Sequence, residues 1–253
     1  MMFARLPRPP RGLVRAAAGL GACAGLLAIA ACSSPPSRFY TLGAEPAQAT
    51  VRSASAPALL IEVPPVDVPA QVAKNQLVVQ TGPTQVQVLE QERWASLPAD
   101  EIRRALSTDL TQQLGTIDVS GTAYPEGTPV YRVSVNVQRF ESWPGSHALI
   151  DAVWSVRAVG SQVVMTCRSV VNQPATGSYD ALVDAHRQAV QQIATQIAAA
   201  IEALGAAPQV RTGASIKGAS GVPARMMPAT VPCPAPIGPS AAPGGTGSGS
   251  TNG

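Results

Sequence analysis

Between Val130 and Val171 apolar and polar residues alternate so regularly that this stretch is confined to β-strands with one wet face and one buried face. Tyr131, Val133, Val135 and Val137 alternate with Arg132, Ser134, Asn136 and Gln138. Successive strand side chains point to opposite faces, so period two sorts them into a core side and a solvent side. Pro144-Gly145 then supplies a turn, and Ala148, Ile150, Ala152, Trp154, Val156 and Ala158 repeat the pattern. Gly160-Ser161 supplies a second turn before residues 163–171 return. Three strands joined by short turns predict an antiparallel meander.

A sheet with one apolar face needs a cover, and two segments have helical period. In residues 98–114, Ile102, Leu106, Leu110 and Leu114 recur every four residues with Ala105 beside them, which makes one apolar stripe. Ser96 is the expected N-cap, Asp100 and Glu101 suit the first turn, and Gly115 suits the stop. In residues 179–204, Leu182, Ala185, Ala189, Ile193, Ile197, Ile201 and Leu204 share a face, with His186, Arg187, Gln191, Gln192 and Gln196 expected on the wet side. Shorter strands are expected at 39–42, at 59–63 before Pro64-Pro65, at 76–80, and at 85–89 after the Gly82-Pro83 turn. The fold class expected is α+β: an antiparallel sheet including the three-stranded meander, with two main helices packed on one face.

The ends of the chain have a different character. Arg5, Arg8, Arg11 and Arg15 precede an apolar, small-residue run from Ala16 to Ala28, and Ile29-Ala30-Ala31 leads into Cys32. A basic start, a short apolar run and small residues before a cleavage point define a secretory signal, here residues 1–31. The run is too short and glycine-rich for a comfortable membrane span. Ile-Ala-Ala-Cys looks like a lipobox, in which the cysteine becomes the acylated N-terminus; Cys23, preceded by Gly-Ala, is a weaker candidate. No adjacent arginine pair precedes the run, which favours general secretion over the twin-arginine route. Ser33 stands where inner-membrane lipoproteins usually carry aspartate, so the expected location is the outer membrane, facing the periplasm. Residues 33–38 form a tether spanning at most about 20 Å. Beyond the second helix, residues 206–253 are rich in Pro, Gly, Ser and Ala without period, and are expected to be disordered.

Charge excludes one class of function. The whole chain carries +3, but no Asp or Glu precedes Cys32, so cleavage removes four positive charges and leaves 3 − 4 = −1. That balance gives no electrostatic reason to bind nucleic acid.

The search for chemistry is brief. Of the two histidines, His147 follows a turn and His186 lies on the second helix, and neither has metal-ligand spacing to other candidate ligands. There is no Gly-x-Ser-x-Gly elbow and no phosphate-binding loop. Glu90 and Glu92 beside Arg93 read as an exposed strand end. Cys167 and Cys233 remain after cleavage; an oxidising compartment permits a disulfide between them, and free thiols are the alternative. No catalytic residue, cofactor or metal is expected.

Several short motifs, in order and spacing, resemble the PqiC-like family of ABC-type transport auxiliary lipoproteins. They are Cys32-Ser33-Ser34 followed by Phe39-Tyr40-Thr41-Leu42; Leu60-Ile61-Glu62-Val63; Asn75-Gln76-Leu77; Glu92-Arg93-Trp94-Ala95 with Leu97; Ile102-Arg103-Arg104-Ala105-Leu106; Tyr131-Arg132-Val133; and the helix from Ala185 to Ile201. The resemblance covers most of residues 32–204, giving a family domain at 32–205. Pro69-Ala70-Gln71-Val72 departs from the pattern, and the tail lies outside it. The resemblance implies an accessory of a system that moves phospholipid or other hydrophobic molecules between the envelope membranes. Its implied partners are an MCE-domain protein and an ABC permease/ATPase complex, with the membrane held through the N-terminal lipid and self-association left open. Phe39 and Tyr40 are read as core residues of a strand, with membrane-proximal contact as the alternative; Arg93-Trp94 is read as a packed corner rather than a partner-binding pair. A structural or peptidoglycan-associated outer-membrane lipoprotein is the competing reading.

Overall fold

The computed structural model describes residues 35–43, 57–206 and 232–235. The expected signal segment, Cys32, most of the first loop and most of the tail lie outside the described residues. The folded unit begins at Arg38. Its elements are β1 (Arg38–Tyr40), β2 (Leu60–Glu62), β3 (Gln76–Gly82), β4 (Gln85–Trp94), α1 (Pro98–Leu114), β5 (Val130–Trp143), β6 (His147–Ala158), β7 (Met165–Pro174) and α2 (Tyr179–Ala206).

The fold is α+β, as expected, and the described strands divide into two sheets, ordered β1-β4-β3 and β2-β5-β6-β7. The meander β5-β6-β7 is antiparallel throughout. The sequence missed that β1 runs parallel to β4 and β2 parallel to β5. A three-residue strand carries too little period to announce its partner or direction.

One irregularity in the meander positions side chains that matter below. The β5–β6 register shifts between Val137 and Arg139. Up to Val137 the odd-numbered residues face the core; after the bulge the even ones do, so Phe140 and Ser142 are buried. An extra residue in one strand reverses which face its successors occupy. The third strand begins at Met165, and Val163 and Val164, expected within it, are exposed.

Helix α1 buries Ile102, Ala105, Leu106 and Leu110, and it ends at Gly115, whose φ of 60° is the left-handed conformation that glycine adopts without penalty. Ser96 is not its N-cap. Leu97 occupies that position without a side-chain cap, because Pro98 starts the helix and the Ser96 hydroxyl is turned toward Glu101. Helix α2 packs against β6 and β7 and also against α1. With neighbours on two sides it buries more than its predicted stripe: Val183, His186, Val190 and Gln196 are inside as well. This corrects the wet-side placement of His186 and Gln196. Gln196 has partners for its polarity: its Oε1 accepts from Ser169 Oγ, and Ser169 Oγ accepts from Trp154 Nε1 at 2.8 Å. The chain thus joins β6, β7 and α2 within the core, where unpaired polar groups are costly.

The sulfurs of Cys167, on the inward face of β7, and Cys233 lie 1.99 Å apart with a Cα separation of 5.8 Å.

Candidate functional site

Residues 38–42 are built into the folded domain by two carboxylates. Arg38, Phe39 and Tyr40 register with Glu92, Arg93 and Trp94. Side chains in register share a face, so Arg38 and Tyr40 lie over Glu92 and Trp94. Glu92 Oε2 accepts from Tyr40 Oη at 2.5 Å, and Glu92 Oε1 accepts from Arg38 Nε at 3.0 Å and Nη2 at 2.5 Å. Glu92 is buried, which corrects the expectation of an exposed strand end at that position; Glu90 is exposed. Burial and the Glu92 carboxylate together push the Tyr40 hydroxyl above its ordinary pKa.

The second carboxylate, Glu101 on the first turn of α1, is 0% exposed. Its Oε2 accepts from Thr41 Oγ1 at 2.7 Å and from the Leu42 backbone N–H at 2.9 Å. Its Oε1 accepts from the Ser96 N–H at 3.1 Å, from Ser96 Oγ at 2.5 Å and from Arg104 Nη2 at 2.6 Å. Arg104 also donates to Ser96 Oγ. Burial alone would raise this carboxyl's pKa, but the bonds from Ser96, Thr41 and Leu42 and the Arg104 charge outweigh it and hold the pKa below the ordinary value. Its position near the helix N-terminus also suits a negative charge. Ala95 N–H to Tyr40 O at 2.7 Å continues the attachment past the strand, and Leu42 is fully buried. Residues 38–42 are therefore clasped at both ends.

Beside the clasp is an aromatic cluster. Trp94, 2% exposed, stands edge-on to Phe140 and His186, and the rings of Phe140 and His186 stack with centroids 4.0 Å apart. His186 is 0% exposed, its Nε2 lies 2.8 Å from Ser142 Oγ, and its Nδ1 is buried without a hydrogen-bond partner. Burial pushes its pKa down to about 3, so the ring is neutral. The bulge in β5 is what brings Phe140 and Ser142 to this histidine. His147 stacks instead on Trp143 at the turn.

The motif residues singled out from sequence thus converge. Phe39, Tyr40, Arg93 and Trp94 meet in the β1–β4 register, and Leu42 follows onto Glu101. Trp94 packs in the core as expected, while the Arg93 Nε donates to the Glu90 carbonyl at 2.8 Å. Tyr40 is 8% exposed and Phe39 66% exposed, so the core reading holds for Tyr40 and fails for Phe39, because neighbours on one strand face opposite ways. Sequence reasoning missed Glu92 and Glu101. Phase was the available signal: Glu92 is two residues from Trp94 on a strand, and Glu101 is four from Ala105 on the stripe of α1.

Among the described residues no group of three His, Cys, Asp or Glu could hold a metal ion, and no helix is long and apolar enough to cross a membrane. An open groove lies on the larger sheet beside Pro65, Asp67, Asn136 and Thr166. The geometry described is one of attachment, with buried carboxylates fully occupied by the chain's own donors.

Residues 40–198 match the profile of the family of ABC-type transport auxiliary lipoprotein components. No curated protein matches the sequence. Among solved structures, an uncharacterised protein is 23% identical, with 66% of this chain and 99% of that one covered and a TM-score of 0.54, which places the two in one fold. A protein from Xanthomonas campestris is 19% identical over 63% of this chain and 92% of its own, with a TM-score of 0.47.

Proposed function

Since the chain belongs to the family of ABC-type transport auxiliary lipoprotein components, we propose that it is a lipid-anchored periplasmic accessory of an MCE-type system moving phospholipid or other hydrophobic molecules between the envelope membranes. Membership already makes it a transport auxiliary of the envelope rather than a member of a known enzyme family. The proposal adds the anchor, the membrane and the partner. Acyl chains on Cys32 hold it in the outer membrane, its domain faces the periplasm, and it docks a conduit built from an MCE-domain protein with its ABC permease and ATPase.

The observation that carries this reading is the family match itself, which begins at Tyr40, close behind Cys32. The clasp supports it. A lipoprotein that merely needed tethering could hang on a slack linker, whereas here the chain enters a strand at Arg38 and is fixed there by Glu92 and Glu101. One buried acyl chain binds a bilayer weakly, but each CH₂ contributes about 0.8 kcal/mol, so several chains give a durable hold. A durable hold with a short connection limits how far the domain can stray from the bilayer, which suits a docking point.

The test is capture of the partner. Mild crosslinking in cells expressing the neighbouring genes should yield an MCE-domain protein with this chain, and Cys32→Ala should release a folded domain that no longer supports transport. Transport by that variant at native expression would refute the anchored docking role. Sedimentation with peptidoglycan, without any MCE partner, would favour a structural lipoprotein instead.

A further inference from the structure

We propose that Phe39 is a second, non-covalent membrane contact whose ring enters the lipid interface beside the acyl chains of Cys32. The inference rests on the reading of Cys32 as the lipidated residue. It starts from the two faces of β1. Tyr40 is buried against Glu92, and the exposed Arg38 reaches the same carboxylate along that face, so the residue between them lies on the opposite face, and it is a phenylalanine, 66% exposed. Arg93, its partner in register, shares this outer face and is partly exposed. Ala95 and Leu97, two and four residues further on, are also open to solvent.

The chain itself indicates what covers this face. Six residues lie between Cys32 and Phe39, and the seven chain steps that join them reach at most about 24 Å when fully extended. With the acyl chains of Cys32 in the bilayer, Phe39 stays within that distance of the lipid. The clasp keeps the residues at 38–42 from peeling away, so the ring is presented from a fixed strand. Burying an apolar ring at the boundary between headgroups and acyl chains is favourable, and Arg93 beside it is already paired to Glu90, so the ring itself carries the contact. A second copy of the chain and a transporter subunit are the competing occupants, and each predicts a different result.

The experiment uses the lipidated mature protein carrying Phe39→Cys or, as a reference, Ile117→Cys, another exposed apolar position. Each is labelled with a polarity-sensitive fluorophore and reconstituted into phosphatidylethanolamine/phosphatidylglycerol vesicles at less than one copy per vesicle. The label at 39 should shift to the blue, be quenched by nitroxide-bearing lipid and be shielded from aqueous iodide; the label at 117 should show none of these. Exposure to iodide at 39 in protein that floats with the vesicles would overturn the inference while leaving the lipid anchor intact. A shift that requires several copies per vesicle, or an added MCE protein, would also overturn it and name the other occupant. An unmodified N-terminal peptide by mass, with no flotation, would overturn the anchor reading and the inference together.

Discussion

Tyr40 and Glu92, 52 residues apart, are joined by a 2.5 Å hydrogen bond from the phenol Oη to the carboxylate Oε2, and both are buried. The bond fastens β1 to the strand that ends in Trp94. It gives the short tether a fixed end inside the protein.

Removing that hydroxyl tests the fastening. Tyr40→Phe keeps the ring but leaves one oxygen of a buried carboxylate without its donor, and should cost about 1–3 kcal/mol. Chemical denaturation measures the loss, and hydrogen exchange of residues 38–42 should accelerate more than exchange in the meander. Unchanged exchange at 38–42 would show that the bond does not hold the strand.

Glu101→Gln should loosen the other end. The amide cannot accept from all of Thr41, Leu42, Ser96 and Arg104, so buried donors lose their partner, at a cost of about 2–4 kcal/mol. Because the folded-state carboxyl lies below its ordinary value of 4.5, its contribution is present above that pH and is lost as pH falls through the depressed folded value. The wild type should lose its advantage over the variant across that acid range, seen by comparing urea midpoints at neutral and acid pH.

His186 acts in the same pH direction for the opposite reason: burial penalises its charged form, where the donors around Glu101 favour the charged form. Its pKa falls from 6.5 to about 3 on folding, so the unfolded chain takes up a proton that the native core refuses. Stability should decline by roughly 1.4 kcal/mol per pH unit below 6.5, on top of the carboxylate terms. His186→Leu removes that slope: the difference between the two proteins should shrink as pH drops from 7 toward 4. A constant difference would mean that the imidazole is protonated in the native state.

Cys233→Ser addresses the pairing with Cys167. The two close a loop with a sequence separation of 66, and loop-closure entropy sets an upper limit of about 4 kcal/mol on what the bond contributes. The variant should melt lower, and non-reducing peptide mapping of the wild type should recover the linked pair. Two free thiols in periplasmic protein would rule the bridge out.

Legibility followed the length of each pattern. The meander showed itself through many consecutive alternations, and α1 through a stripe whose bounds match the structure at 98–114. Phe39 and Tyr40 were harder. Both are aromatic, and in three residues nothing marks which faces in; the pairing with β4 decides it. Glu92 and Glu101 escaped because charge alone suggests a surface, and only donors contributed from distant segments make their burial tolerable. His186 escaped because a helix with one covered face would leave it wet, and α2 has two.

The sequence by itself determined the α+β composition, the two helices and the meander, because each is encoded in residues close along the chain. Only the tertiary structure decided which strands run parallel, that Cys167 and Cys233 meet, and that residues 38–42 are clasped by Glu92 and Glu101. These depend on contacts between residues some 50 to 70 positions apart. Local period says which face of an element is apolar; it does not say which distant element will cover it.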